Sequence, residues 1–135
     1  DIINNKKYTS VHIRRGDYLK YADFHAIMGK EYYDEAMSRF PKNTKFVFFS
    51  DDIEWCKETF GSRHIYIENQ EDILDLYLMS MIQNNIIANS SFSWWGAWLS
   101  EIEDKKVLTP PVWFGPKNTH LTMKDLIPET WEMVE

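Results

Sequence analysis

The chain has 135 residues, which suits one domain, and 44% of them are hydrophobic, which is enough for a packed core and argues against disorder. The net charge of −6 argues against a general binder of nucleic acid or of anionic membranes, because such binders need clustered Lys and Arg. Any recognition of phosphate must therefore be local.

Segments with strand and helix periodicity alternate along the chain. Short apolar or alternating runs predict strands over 8–14, 45–50, 64–67, 85–89 and 106–111. Apolar residues at i, i+3 and i+4 predict helices over 29–40, 52–60, 71–84 and 91–102, followed by an irregular tail with one short helix near 122–127. This order predicts an α/β fold, a Rossmann-like parallel sheet with helices on both faces.

Ligands of such folds bind at the carboxyl ends of the strands. The first of these ends carries Arg14, Arg15, Gly16 and Asp17. A guanidinium matches two phosphate oxygens, glycine lets the backbone approach a ligand, and Asp17 can orient an arginine. A surface Arg–Asp pair that contributes little to stability is equally open.

The second strand end carries Ser50, Asp51 and Asp52. Asp51, with Glu54 three residues later, predicts a capping box at the start of a helix. Paired carboxylates can also hold a divalent cation, but nothing else in the chain completes an oxygen cage, so we expect capping.

The third strand end carries Ser90, Ser91 and Ser93 where a strand leads into a helix. Free backbone N–H groups and the helix dipole favour an anion there, although a serine cap is common. The helix that follows contains Trp94, Trp95 and Trp98, which we expect to pack in the core.

Asp75 interrupts the apolar run of the predicted helix 71–84. A buried carboxylate needs a partner, and the adjacent N–H donors of guanine would supply one. The alternative is that Asp75 faces water beside Asp72.

Few other chemistries are open to the chain. Cys56 is the single cysteine, so an internal disulfide and a metal site of several thiolates are excluded. The four histidines show no metal-ligand spacing. We see no signal peptide and no apolar run long enough to span a bilayer, and the absence of an initiator methionine is consistent with a fragment.

Three stretches together resemble the motifs of the α-1,2-fucosyltransferases of glycosyltransferase family 11. They are HIRRGDY (12–18), FFSDD (48–52) and EDILDLYLMSMIQNNIIANSSFSWWGAWL (71–99). The resemblance covers most of the chain, and the third stretch is long and specific. It implies a two-domain GT-B enzyme that transfers L-fucose from GDP-β-L-fucose to a galactose hydroxyl with inversion. Residues 1–135 would be its GDP-fucose (donor) binding domain, without the amino-terminal acceptor domain.

The resemblance also implies roles for individual residues. Arg14 would be catalytic, binding the donor diphosphate and stabilising GDP as it leaves. The other donor-binding residues would be His12, Arg15, Asp17, Asp75, Ser90, Ser91 and Ser93. No metal or other cofactor is expected, and the partners would be GDP-fucose and a galactose-terminated glycan, not nucleic acid.

The sequence leaves the identity of the general base that inversion requires undecided. Asp23 and His25 follow the first motif and are candidates, and Asp23 is the expected catalytic residue. The alternatives, a surface charge for Asp23 and a packed histidine for His25, are equally plausible. The base can also lie in the absent half. We expect a cytoplasmic bacterial enzyme that takes part in surface-glycan synthesis; whether it contacts the membrane peripherally is left undecided. We also expect this fragment to bind the donor without transferring fucose. The alternative function is a non-catalytic Trp-rich carbohydrate-binding module.

Overall fold

The structure is a computed structural model that describes residues 2–3, 5–118 and 126–135. The strands are β1 (Tyr8–Ile13), β2 (Lys45–Ser50), β3 (Ile65–Tyr66), β4 (Asn84–Ile86), β5 (Val107–Thr109) and β6 (Glu132–Met133). The helices are α1 (Gly16–Lys20), α2 (Lys30–Ser38), α3 (Ile53–Phe60), α4 (Asp72–Met81) and α5 (Ser91–Trp98), with a 3-10 turn at Pro116–Asn118. No helix within the described ranges is long and apolar enough to cross a membrane.

The six strands form one parallel sheet in the order β3-β2-β1-β4-β5-β6. The chain moves outward from β1 to β3 and then crosses to the other side of β1, where β4 begins the second half. The pairing of Val11 with Ile86 makes β1 and β4 neighbours at this reversal. Doubly wound folds bind their ligands at such a point, outside the carboxyl ends of the strands. The predicted α/β, Rossmann-like sheet is confirmed.

Alternation along β2 divides the core between the two faces of the sheet. Phe46 and Phe48 pack with residues of α2 and α3, including Tyr33 and Cys56. The intervening Val47 and Phe49 pack on the other face, against Met79 and Ile82 from α4 and its carboxyl-terminal end. Helices therefore cover both faces, as the sequence predicts.

The expectation that the three tryptophans of α5 pack in the core is confirmed for Trp94 and is wrong for Trp95 and Trp98. Trp95 and Trp98 are 48% and 52% exposed. Trp94 is half-buried, stacks on Trp98 with ring centroids 5.3 Å apart, and donates its indole N–H to the carbonyl oxygen of Leu126. The small residues of α5 face inward instead, because a Cβ at Gly96 would lie only 3.2 Å from Cβ of Met79 on α4.

A second correction concerns elements that the sequence pattern missed. Both α1 and β6 are observed but were not predicted, and they have five and two residues. The predicted helix near 122–127 falls largely outside the described residues.

A candidate ligand site at the carboxyl edge of the sheet

The loops after β1 and β4 meet at the reversal of strand order. Tyr18 of α1 donates its hydroxyl to the carbonyl oxygen of Asn89, at 2.7 Å. The Asn89 side-chain amide donates in turn to the carbonyl oxygens of Ala26 and Trp113, at 2.7 and 2.8 Å. A hydrogen bond between residues 71 positions apart thus holds together the two strand ends that the sequence singles out.

A cavity of about 70 Å³ opens between these loops and α4. It is lined by His12, Arg14, Phe49, Ser50, Asp51, Asp72, Asp75 and Phe92. The volume is well below the 300–1,000 Å³ or so of sites that enclose a whole small molecule, so the cavity can enclose one group of a larger ligand. Its lining combines a guanidinium with carboxylates of α4, which suits a ligand that carries both an anion and N–H donors.

Asp51 organises the loop that carries the arginines. Its carboxylate accepts hydrogen bonds from the backbone N–H groups of Arg15 and Gly16, at 2.9 and 2.8 Å, and lies 3.6 Å from Nε of Arg14. A Cβ at position 16 would lie 2.5 Å from a carboxylate oxygen of Asp51, so this contact requires glycine.

The predicted cap at Asp51 is wrong, because the N-cap of α3 is Asp52. The Asp52 side chain accepts from the backbone N–H of Trp55 at 3.3 Å. The backbone N–H of Asp52 is fixed by the Ser50 hydroxyl, which also donates to the carbonyl oxygen of Ile13. Asp51 instead accepts hydrogen bonds from the backbone N–H groups at the start of α1. This pairing is not predictable from the sequence around Asp51.

Arg14 and Arg15 point to different surroundings. Arg14 lines the cavity, and its guanidinium carbon lies 5.3 Å from the centre of the Tyr18 ring. Arg15 is not among the lining residues; its guanidinium stacks over Trp55 at 3.9 Å, and its Nε lies 3.4 Å from Asp52. The geometry gives Arg14 access to a ligand and makes Arg15 part of the supporting packing.

His12 is a buried, neutral member of the cavity. Its ring lies 5.5 Å from that of Phe92, and its exposed fraction is 5%. Burial, and then the charge of Arg14, lower the pKa of His12 to about 3. Its Nδ1 has no hydrogen-bond partner among the described residues. A buried polar atom without a partner is costly, so this nitrogen is available to a ligand.

Asp75 lies on the first turns of α4 and is half-buried in the cavity wall. Gln70 donates its side-chain amide to Asp75 at 2.8 Å. Burial is the main cause of a raised pKa for Asp75, with the charge of Asp72 acting in the same direction and the Gln70 hydrogen bond opposing it. Asp75 is therefore not simply on a solvated stripe, and it has an oxygen that can accept from a ligand.

The three serines at the start of α5 differ in what they contact. Ser90 is buried and caps the helix, accepting from the backbone N–H of Phe92 at 3.2 Å. Ser93 is buried and bonds to the backbone of Ala88. Ser91 is exposed on the first turn. Of the three hydroxyls, that of Ser91 is the one open to a ligand.

Asp23 is not brought to the cavity. Its side chain is 63% exposed and lies 3.2 Å from Nζ of Lys117. His25 stacks on Tyr18 with ring centroids 4.2 Å apart. The predicted bracing of the arginines by Asp17 falls outside the described part of the structure, which gives only the backbone of that residue.

Further residues that sequence reasoning did not assign also belong to the site. Among them are Tyr18, which joins its two loops, and Phe49 and Phe92, which line it. The local sequence gives no signal for the role of Tyr18, because α1 has five residues, too few to show a period. Within the described ranges, no group of three His, Cys, Asp or Glu side chains is placed to hold a metal ion.

Comparison with known proteins identifies the family. The sequence model of glycosyl transferase family 11 matches residues 1–131. The chain belongs to this family. The resemblance seen in the three motifs is therefore confirmed over nearly the whole chain, which supports an enzyme domain over a Trp-rich carbohydrate-binding module.

Individual relatives agree with this family. The chain is 40% identical to the O-antigen biosynthesis glycosyltransferase WbnK of Escherichia coli, over 93% of this chain and 46% of that protein. It is 39% identical to an alpha-1,2-colitosyltransferase of Escherichia coli, over 100% and 50% of the two chains. It is also 28% identical to galactoside alpha-(1,2)-fucosyltransferase 1 of Rattus norvegicus, over 73% and 29%.

The chain thus spans about half the length of the two bacterial relatives. No solved structure matches it significantly.

Proposed function

We propose that this chain is the donor-binding half of an inverting α-1,2-fucosyltransferase, which transfers L-fucose from GDP-β-L-fucose to the 2-hydroxyl of a galactose in a glycan. The observation that carries the proposal is one cavity, at the reversal of strand order, that contains both Arg14 and Asp75. These residues are 61 positions apart in the chain but line the same cavity. A guanine nucleotide that extends beyond the cavity would meet Arg14 with its phosphates and Asp75 with its base.

The phosphate end of the donor would meet positive charge. Arg14 offers a permanent cation with several donors, and Ser91 adds a hydroxyl at the amino end of α5, where backbone N–H groups and the helix dipole favour an anion. Arg15, Ser90 and Ser93 would act indirectly, because their polar groups are held by the protein's own packing and hydrogen bonds.

The guanine end would meet Asp75. A carboxylate can accept hydrogen bonds from the two adjacent N–H groups of the guanine edge, and partial burial makes such bonds stronger than in water. His12 would add its unpartnered Nδ1 to the ligand or to a water molecule that bridges to it.

The reaction is a single displacement at the anomeric carbon of fucose. The oxygen of the acceptor hydroxyl forms the new glycosidic bond, while the bond from that carbon to the diphosphate breaks and its electron pair leaves with GDP. Negative charge grows on the diphosphate as this happens, and a preorganised guanidinium stabilises it more in the transition state than in the ground state. That is the role proposed for Arg14.

The acceptor hydroxyl must lose a proton to a base. Asp23 was expected to act as this base, but it is exposed and paired with Lys117. We therefore propose that the base lies outside this chain, in the other half of the enzyme. Asp23→Asn in the full-length enzyme should then change kcat only a few-fold, whereas loss of a true base costs about 10²–10⁴-fold.

The 39% identity to an alpha-1,2-colitosyltransferase favours colitose as one further candidate for the transferred sugar. Colitose lacks the 3-hydroxyl of fucose, so a site that hydrogen-bonds this hydroxyl would strongly prefer the fucosyl donor. Comparison of kcat/KM for the two GDP-sugars with the full-length enzyme decides between them.

The proposal is tested by calorimetric titration of the purified protein with GDP. Arg14→Ala should weaken GDP binding by about ten- to a hundred-fold, since hydrogen bonds to charged groups contribute about 1.5–3 kcal/mol each. Lys30→Ala is the matched control, because it removes an exposed cation of α2 that does not line the cavity. Unchanged GDP affinity in Arg14→Ala, or equal loss in both variants, would contradict the phosphate role.

A further inference from the structure

Basic residues gather at the edge of the sheet opposite the candidate site. Because the strands are parallel, the residues that precede them share one edge. Lys6 and Lys7 precede β1, and Arg63 precedes β3. Lys42 precedes β2, and Lys45 is its first residue. These three strands are neighbours, so five of the 15 Lys and Arg residues of the chain form one basic corner.

The basic corner surrounds a cavity of about 370 Å³. Three of its cations line the cavity, together with the rings of Tyr8, Phe46 and His64. Nζ of Lys45 lies 5.7 Å from the centre of the Tyr8 ring. The volume is within the range of about 300–1,000 Å³ that small-molecule sites occupy. The space is therefore concave, walled by aromatic rings and bordered by positive charge.

Among the described residues, no ion pair neutralises the charges of the basic corner. Within the described ranges, ion pairs engage cations elsewhere, such as Arg39 with Glu35 and Glu132, and Lys57 with Glu68. None of those pairs involves a residue of the basic corner, and no carboxylate is among the residues lining its cavity. Like charges held together repel one another, so an anion bound between them would gain attraction from several cations at once.

A solvated face is the usual explanation for surface lysines, but two features of this corner differ from it. Its cations border a cavity rather than a flat surface. The cavity also contains His64, whose pKa is lowered by burial and by the nearby Arg63, so that a neutral imidazole stands beside the cations. A neutral imidazole can donate one hydrogen bond to an anion without adding to the repulsion.

We propose that the basic corner is a second anion site, which binds a phosphate ester group. The group would belong either to a soluble ligand or to the headgroup of a phospholipid. Guanidinium and ammonium groups together supply the donors that phosphate oxygens accept, and the aromatic walls suit the organic part of the ester. The site is distinct from the donor cavity, because the six residues of β1 separate the two edges by about 17 Å.

Two probes distinguish the sources of the phosphate. The protein is sedimented with vesicles of phosphatidylcholine alone and of phosphatidylcholine mixed with phosphatidylglycerol, and it is titrated calorimetrically with glycerol 3-phosphate. Binding to the anionic vesicles alone identifies a phospholipid headgroup, and binding to glycerol 3-phosphate identifies a soluble ester. Binding to neither probe overturns the proposal.

The triple charge reversal Lys42→Glu, Lys45→Glu and Arg63→Glu locates the site. It should weaken binding of the positive probe at least about tenfold, since each cation near an anionic surface contributes a several-fold effect.

The matched control reverses Lys20, Lys30 and Lys117, which changes the net charge equally and leaves the basic corner intact. This control and Arg14→Ala should both retain probe binding. Equal loss in the two triple variants, with both still folded by circular dichroism, would show a net-charge effect and overturn the proposal.

Discussion

Replacement of Asp51 by alanine tests how the site is held together. The change removes the acceptor of two backbone hydrogen bonds, from Arg15 and Gly16, and a carboxylate that lies 3.6 Å from Nε of Arg14. Hydrogen bonds to charged groups contribute about 1.5–3 kcal/mol each when buried. The Asp51 side chain is 29% exposed, so water replaces part of this loss. We expect a cost near that of a lost helix cap, about 1–2 kcal/mol in the free energy of unfolding.

The effect on binding separates Asp51 from its neighbour. Loss of Asp51 also frees the loop that carries Arg14, so GDP affinity should fall by about tenfold, or 1.4 kcal/mol. Asp52→Ala removes the cap of α3 and should cost about 1 kcal/mol of stability with little change in GDP affinity. Urea unfolding followed by circular dichroism gives the free energy of unfolding, and calorimetry gives the GDP affinity. Wild-type GDP affinity in Asp51→Ala, or a larger loss in Asp52→Ala, would refute this reasoning.

Further predictions concern stability, binding and reactivity. His12 has a pKa of about 3 in the folded protein and an ordinary value of 6.5 in the unfolded chain. As the pH falls below 6.5, the unfolded state takes up a proton that the folded state does not, so the free energy of unfolding decreases by at most about 1.4 kcal/mol per pH unit. His12→Gln should reduce the slope of unfolding free energy against pH in this window, and an unchanged slope would exclude a buried neutral imidazole. Ser91→Ala should weaken GDP binding without changing the urea midpoint of unfolding. Ser93→Ala should lower that midpoint, because it removes buried hydrogen bonds worth about 1 kcal/mol. A lower midpoint in Ser91→Ala and weaker GDP binding in Ser93→Ala would contradict these assignments. Cys56 is buried and its pKa is raised to about 11, chiefly by burial, so a thiol reagent at pH 8 should modify it only in urea. Rapid modification of the native protein would show that α3 opens readily.

The central sheet could be predicted from the sequence because its strands are short apolar runs bounded by polar residues. The strand predicted over 45–50 has the observed bounds of β2. The strand ends chosen as ligand sites followed from a parallel sheet, and Arg14 and Asp75 do line one cavity. The sequence pattern and the expected sheet topology therefore predicted where the site lies.

Contacts between distant residues were not predictable. Asp51 binds the amino end of α1, 35 residues away, and no local pattern distinguishes that role from capping its own helix. The helix α1 itself has five residues, too few to show a period. The exposure of Trp95 and Trp98 depends on the close approach of α4 to Gly96, which selects the inward face of α5 by size rather than by hydrophobicity.

Titration of the isotopically labelled chain with GDP, followed by NMR of the backbone amides, tests the central claim most directly. The account predicts that the amides of residues 12–16, 72–75 and 90–93 shift together with one dissociation constant, since all three segments border one nucleotide site. Shifts confined to the basic corner around Lys42 and Arg63, or to a single one of the three segments, would contradict it.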